Sequence, residues 1–215
     1  MPVTGLRTNP RQLLADRTAI AMIELALALP LFLLMVLGLA ELCDYALQKQ
    51  RLSQIALQVA DNAGRLGSVN LSGPQRLTEA QINDVLLGGT VMSNGLDFTR
   101  RGRIILSSLE QNAKKGQWIH WQRCRGGLEH GSSYGFEGAG AENTFFPGMG
   151  PAGAPVQAAA NRPAMFVEVA YRREPLTFLR VISAPLIIEI AAMPARVERD
   201  LTKVDNGADV DVSTC

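Results

Sequence analysis

The chain is poor in the residues from which most enzymes build their chemistry. Two histidines and three cysteines occur in 215 residues. No HExxH helix and no GxSxG elbow carrying a strand through a serine into a helix is read, and the glycines offer neither a Walker A lysine nor a strand-to-helix GxGxxG setting. Catalysis and a bound cofactor are therefore not expected. Cys43, Cys124 and Cys215 lack CxxC spacing, so Cys124 with His120 and His130 is only a rival metal reading, and no metal site is expected. Net charge is missing as well: 21 Lys and Arg stand against 20 Asp and Glu, leaving +1 at pH 7. Nucleic-acid binding driven by overall charge is excluded by that balance. Disorder is excluded by composition, with 47% hydrophobic and 19% charged residues.

What the chain does have is one long apolar run, Ile20 to Ala40, interrupted by a single charge, Glu24. As a helix it spans roughly 30 Å, the thickness of a bilayer's hydrocarbon core. Arg7, Arg11 and Arg17 precede it against Asp16, while Glu41 and Asp44 follow it, so the positive-inside bias leaves the N-terminus in the cytoplasm. A cleaved secretory signal would have a shorter apolar region and an Ala-x-Ala-like site. A lipoprotein signal ending at Cys43 fails because Glu41 and Asp44 flank that cysteine. The expected organisation is a leader over 1–19, a transmembrane helix over 20–41, a helical extension over 42–66 and an exported domain over 67–215. Glu24 needs an explanation, since an ionised carboxylate in hydrocarbon costs a few kcal/mol and marks a functional residue by default. The alternative is that it snorkels to the headgroups near the helix end.

Beyond the span, Leu42, Tyr45, Lys49, Leu52, Ala56, Val59, Ala63 and Leu66 recur at three- and four-residue spacing. That period predicts a helix to about Arg65 with one face on a core. Ser72-Gly-Pro-Gln reads as a turn, and Thr78 to Leu87 as a short helix capped by Thr78 and ended by Gly88-Gly89. The period then changes. Arg103 to Glu110 and Gln117 to Cys124 read as a hairpin through Asn112-Ala-Lys-Lys-Gly, and Ala164 to Tyr171 and Leu186 to Met193 as further strands. Pro194 argues that the last strand is at an edge or bulged. Trp118 and Trp121 read as sheet residues on opposite faces. The loop over 126–163, rich in Gly and Pro, is expected to be exposed and mobile; Phe145, Phe146 and Met149 in it either pack over the sheet or form a partner patch. Asp205, Asp209 and Asp211 read as a solvated tail. Helix followed by strands means α+β, a long N-terminal helix packing onto an antiparallel sheet.

If the domain lies outside the cytoplasm, a Cys124–Cys215 disulfide would tie the C-terminal residues to the sheet, and closing a loop of about ninety residues contributes on the order of 4–5 kcal/mol in the chain-entropy model. Cys43 either forms an interchain bond or stays a free buried thiol.

A basic leader, a small residue, then an apolar helix whose fifth residue is Glu resembles the processing region of type IV prepilins and pseudopilins. Arg17-Thr-Ala-Ile-Ala-Met-Ile-Glu-Leu-Ala-Leu-Ala-Leu-Pro and the later Gly38 are most similar to the TadE-like family of tight-adherence (Flp-type) pilus assembly proteins. Ala19 stands where that family has Gly, and Leu25 where it has an aromatic. The resemblance implies a minor pilin or pseudopilin of the bacterial inner membrane, cut between Ala19 and Ile20 by a prepilin peptidase, with its C-terminal domain in the periplasm. It implies other pilins and a pilus-assembly platform as partners, with Glu24 as the residue of subunit assembly. The alternative is a membrane-anchored extracytoplasmic sensor or binding module; an anchored hydrolase is remote.

Overall fold

The computed structural model describes residues 17–67, 75–93, 95–177 and 185–215. The turn expected at Ser72-Gly-Pro-Gln falls outside them except for Gln75. Internal packing divides the chain into two units, one of Met1–Tyr45 with Pro175–Ser183, the other of Ala46–Glu174 with Ala184–Cys215.

Helix α1, Arg17–Arg65, runs through both units. In the first, every residue from Ile20 to Val36 is exposed, although the stretch is long and apolar enough to cross a membrane. Pro30 lies inside the helix; it removes one N–H without ending the turn-by-turn ladder, which membrane helices tolerate. Leu42, expected on the core-facing stripe, is exposed.

In the second unit α1 becomes one-sided. Leu52, Ile55, Ala56, Val59, Ala60 and Ala63 are buried, and their alternating spacing of three and one draws a single stripe along a 3.6-residue period. Lys49, the polar member of the expected stripe, is exposed and pairs with Glu189 at 3.7 Å. Helix α2, Glu79–Met92, starts on a capping box: Gln81 N donates to Thr78 Oγ1, and Thr78 N donates to Gln81 Oε1. It does not stop at Gly88-Gly89. A Cβ on Gly89 would lie 2.6 Å from Val59 Cγ2 and 2.7 Å from Ile104 Cδ1, so glycine serves there to bring the helix backbone against α1 and the sheet.

After the single turn α3, Phe98–Arg101, come strands β1 (Gly102–Gln111), β2 (Gln117–Arg125), β3 (Ala164–Arg172) and β4 (Leu186–Pro194). They form one antiparallel sheet in the order β2-β1-β3-β4, which puts β4 and its Pro194 at an edge. The fold is α+β, the long N-terminal helix packing onto a four-stranded antiparallel sheet. Central strand β3 is buried at every residue except Arg172, so both its faces are covered. Ile104 meets Gly89 on one face. On the other, Leu109, Ile119, Ala164 and Phe166 pack with Met149 and Ala158, and Tyr134, Phe146 and Val156 lie against them.

That second cover is the segment 126–163, and it corrects the expectation of an exposed loop. Met149 is fully buried while Phe145 is 89% exposed, so the apolar residues of the segment divide between sheet and solvent. The physical cause is the sheet itself: its apolar second face needs a partner, and among the described residues no helix supplies one.

Gly89→Val is expected to lower the unfolding free energy of the detergent-solubilised chain by about 1–3 kcal/mol through overpacking. Gly88→Ala, whose Cβ would meet open space, should be neutral or stabilising by up to about 1 kcal/mol. Thermal unfolding of the two variants checks the pair.

Candidate functional site

Glu24 sits on α1 with Ile20, Leu27, Ala28 and Leu31 as its neighbours three, four and seven residues away, all of them exposed. Among the described residues it has no hydrogen-bond or ion-pair partner. The next carboxylate along the helix is Glu41, and the 16 residues from Leu25 to Ala40 carry no charge. At 1.5 Å per residue that stretch measures about 24 Å, short of a hydrocarbon core of about 30 Å. The two boundary carboxylates differ in how they are held. Glu41 is 0% exposed and accepts a hydrogen bond from Thr177 Oγ1 at 2.7 Å; Glu24 is open on its helix face. Ala19 and Ile20, the expected processing pair, both lie in the helix, and Ile20 is 49% exposed. Cys43 is a free cysteine and is exposed, not buried.

In the sheet unit, buried polar groups tie the covering segment down. Glu168 of β3 is 1% exposed. Its carboxylate accepts from Ser133 Oγ at 2.6 Å, from Ser133 N at 3.0 Å and from Ser132 Oγ at 3.0 Å, and His130 Nε2 lies 3.2 Å away. The string Gly131-Ser-Ser-Tyr-Gly135 spells Gly-x-Ser-x-Gly, but it lies in the loop between β2 and β3, not in a strand-to-helix elbow. The Ser133 hydroxyl bonds the carboxylate directly instead of an imidazole base, and a nucleophile needs the base. The cluster is an anchor. Gln117 adds a second one, its amide donating to Ala158 O and accepting from Ala158 N. The loop backbone adds a third along the outer edge of β2, where Ile119 N donates to Ala139 O and Gly138 N to Ile119 O. Those bonds satisfy an edge that would otherwise pair with another chain.

A separate ion pair ties α2 to β2. Arg123 donates to both oxygens of Glu79, Nη2 to Oε1 at 2.6 Å and Nε to Oε2 at 3.0 Å, and Nη1 reaches Glu137 Oε2 at 3.0 Å. Burial works against its charge, but the Glu79 carboxylate outweighs it and holds the guanidinium above its ordinary value. Arg199 is held differently. Its Nη2 donates to the Ala63 carbonyl in the last turn of α1 at 2.6 Å, and burial pulls its guanidinium down to about 10, which leaves it charged at neutral pH.

Cys124 and Cys215 form a disulfide with a Cα–Cα distance of 4.9 Å across 91 residues. In the Asp-rich terminal stretch Asp209 and Asp211 are exposed and Asp205 is half-buried, while backbone bonds fasten the stretch to the rest of the unit. Gln75 and Arg199 form one parallel bridge and Thr78 and Asp205 another; Cys124 N donates to Ser213 O at 2.7 Å, and Asn83 Nδ2 to Asp211 O at 2.8 Å. The rival metal set is dispersed: Cys124 is in the disulfide, His120 pairs with Glu110 at 3.0 Å and His130 with Glu168. Among the described residues no three His, Cys, Asp or Glu side chains are grouped to hold a metal.

Trp118 and Trp121 are not on opposite faces. Ser108 pairs with Trp121 and Leu109 with Ile119, which leaves His120 as the extra residue of a bulge. Trp118 pairs with Glu110, two residues from Ser108, so both tryptophans share a face. Trp118 stacks on His120 with centroids 4.4 Å apart.

The architecture defines a class: a chain with one helix long and apolar enough to cross a membrane, continued into a unit with an antiparallel sheet. Within that class, residues 19–61 match the family model described as TadE-like protein. The match takes in Glu24, the rest of the apolar run and most of the α1 face that packs on the sheet. No curated protein and no solved structure matches the chain.

Glu168→Ala should leave the Ser132, Ser133 and His130 donors without their acceptor and cost about 2–3 kcal/mol. Hydrogen exchange is expected to quicken through 126–163 first, with the central amides of β1 and β3 still protected; uniform quickening of the whole sheet would mean that the anchor serves the core rather than the cover.

Proposed function

We propose that the chain is a minor pilin or pseudopilin of a tight-adherence (Flp-type) pilus. It would be held in the bacterial inner membrane by Ile20–Glu41, with its N-terminus in the cytoplasm and the sheet unit in the periplasm. The observation that carries the reading is Glu24: within a match to the TadE-like model, it is the one carboxylate of the apolar stretch that the described residues leave unpartnered.

A carboxylate exposed to lipid is tolerated poorly unless a cation meets it. Hydrolysis of the Ala19–Ile20 bond by a prepilin peptidase adds water across the amide, leaving a carboxylate on Ala19 and an α-ammonium on Ile20. That ammonium on a neighbouring subunit is the cation that fits Glu24. The pair would set axial register, because a subunit one turn out of step leaves both charges buried alone. Other pilins and a pilus-assembly platform are then the partners, and the activity is assembly, not catalysis.

In cells carrying the pilus system, Glu24→Leu is expected to insert into the membrane at wild-type level and to abolish piliation. Mass spectrometry of the wild-type protein should find Ile20 as the mature N-terminus. Normal pili in the Glu24→Leu strain would instead support a membrane-anchored sensor or binding module, and an uncut N-terminal segment in wild-type cells would remove the processing step.

A further inference from the structure

We infer that Leu176, a few residues beyond the end of β3, makes a second contact with the membrane, seated in the lipid surface beside the point where α1 leaves it. This rests on the reading of Ile20–Glu41 as a membrane span.

Three observations carry it. The first is position. Thr177 Oγ1 donates to Glu41 Oε2 at 2.7 Å, which fixes residue 177 at the level of residue 41 of the helix. The charge-free stretch from Leu25 to Ala40 is about 24 Å long, so a hydrocarbon core of about 30 Å centred on it reaches about 3 Å past each end, or two helical residues. Glu41, Thr177 and the adjoining Leu176 are therefore at the depth of the hydrocarbon boundary. The second is exposure. Leu176 is 61% exposed, and so are Leu39 at 53% and Leu42 at 52% on either side of the covered Glu41. The leucine is thus an exposed apolar side chain one residue from the bond that joins Thr177 to the helix. The third is polarity. A carboxylate at that depth needs a donor, and Glu41 has the Thr177 hydroxyl, with its own surface wholly covered. Lipid is the occupant these observations select, because the Thr177–Glu41 bond holds this exposed leucine at the end of the proposed span.

The test uses the full chain with Cys43→Ser and its disulfide intact, carrying a nitroxide on Leu176→Cys, in vesicles of phosphatidylcholine and phosphatidylglycerol. Collisions with oxygen, which concentrates in lipid, and with a water-soluble nickel chelate are compared with labels on Leu29→Cys within the span and on Lys114→Cys in the exposed hairpin. The expected result is a shift at position 176 toward oxygen and away from nickel, in the direction of the Leu29 label. A label as open to nickel as that on Lys114 overturns the inference. A label shielded from both reagents also overturns it, by showing that protein, not lipid, covers Leu176. If the Leu29 label itself reads as water-exposed, the span reading has failed and this inference falls with it; a lipid-exposed Leu29 with a water-exposed Leu176 sinks the inference alone.

Discussion

Hydrocarbon offers a carboxylate no hydrogen-bond donor, and a helix long and apolar enough to cross a membrane has to answer that constraint at each of its carboxylates. The apolar stretch of α1 is bounded by two glutamates, and the chain itself answers for Glu41, through the hydroxyl of Thr177 and complete burial. For Glu24 the described residues supply no equivalent. A helix that needed only to anchor would be better served by leucine at that position, since removing a charge from lipid is favourable by a few kcal/mol. That asymmetry is the basis of the proposal that another subunit supplies the partner of Glu24.

A different constraint orders the sheet unit. A four-stranded antiparallel sheet with apolar side chains on both faces has to be covered twice. The α1 stripe from Leu52 to Ala63, together with α2, covers one face. The segment 126–163 covers the other, and having no regular secondary structure of its own it depends on side-chain bonds to hold its shape. Glu168 and Gln117 supply these from the sheet outward, each pairing with groups of the segment. At Gly140 the chain adopts φ 86° with Gln117 O so near that a Cβ would lie 2.2 Å from it, which is the kind of close approach that the glycine content of the segment permits. The disulfide and the Ser213 carbonyl then fasten the C-terminal residues to β2.

Local signals made the regular elements legible. Period-two patterning placed all four strands within a residue or two of their observed ends, Thr78 marked the start of α2 through its capping box, and Pro194 marked an edge strand. The misreadings share a cause. Gly88-Gly89 resembles a helix stop, but what Gly89 meets is Val59 and Ile104, 30 residues before it and 15 after it. Strict alternation separates Trp118 from Trp121, but the bulge at His120 is a property of the β1–β2 register. The Gly- and Pro-rich stretch has the composition of an open loop, and only the sheet face that it meets turns it into a cover.

By itself, the sequence determined what depends on neighbours within a few turns: the apolar length of the span, the lone charge at Glu24, the caps and the strands, because hydropathy and backbone preference act locally. Only the tertiary structure decided which glycine is for packing, which carboxylates have donors and what covers the second sheet face. Those outcomes arise between groups far apart in the chain, such as Ser133 with Glu168 or Thr177 with Glu41, where no local pattern records the partner.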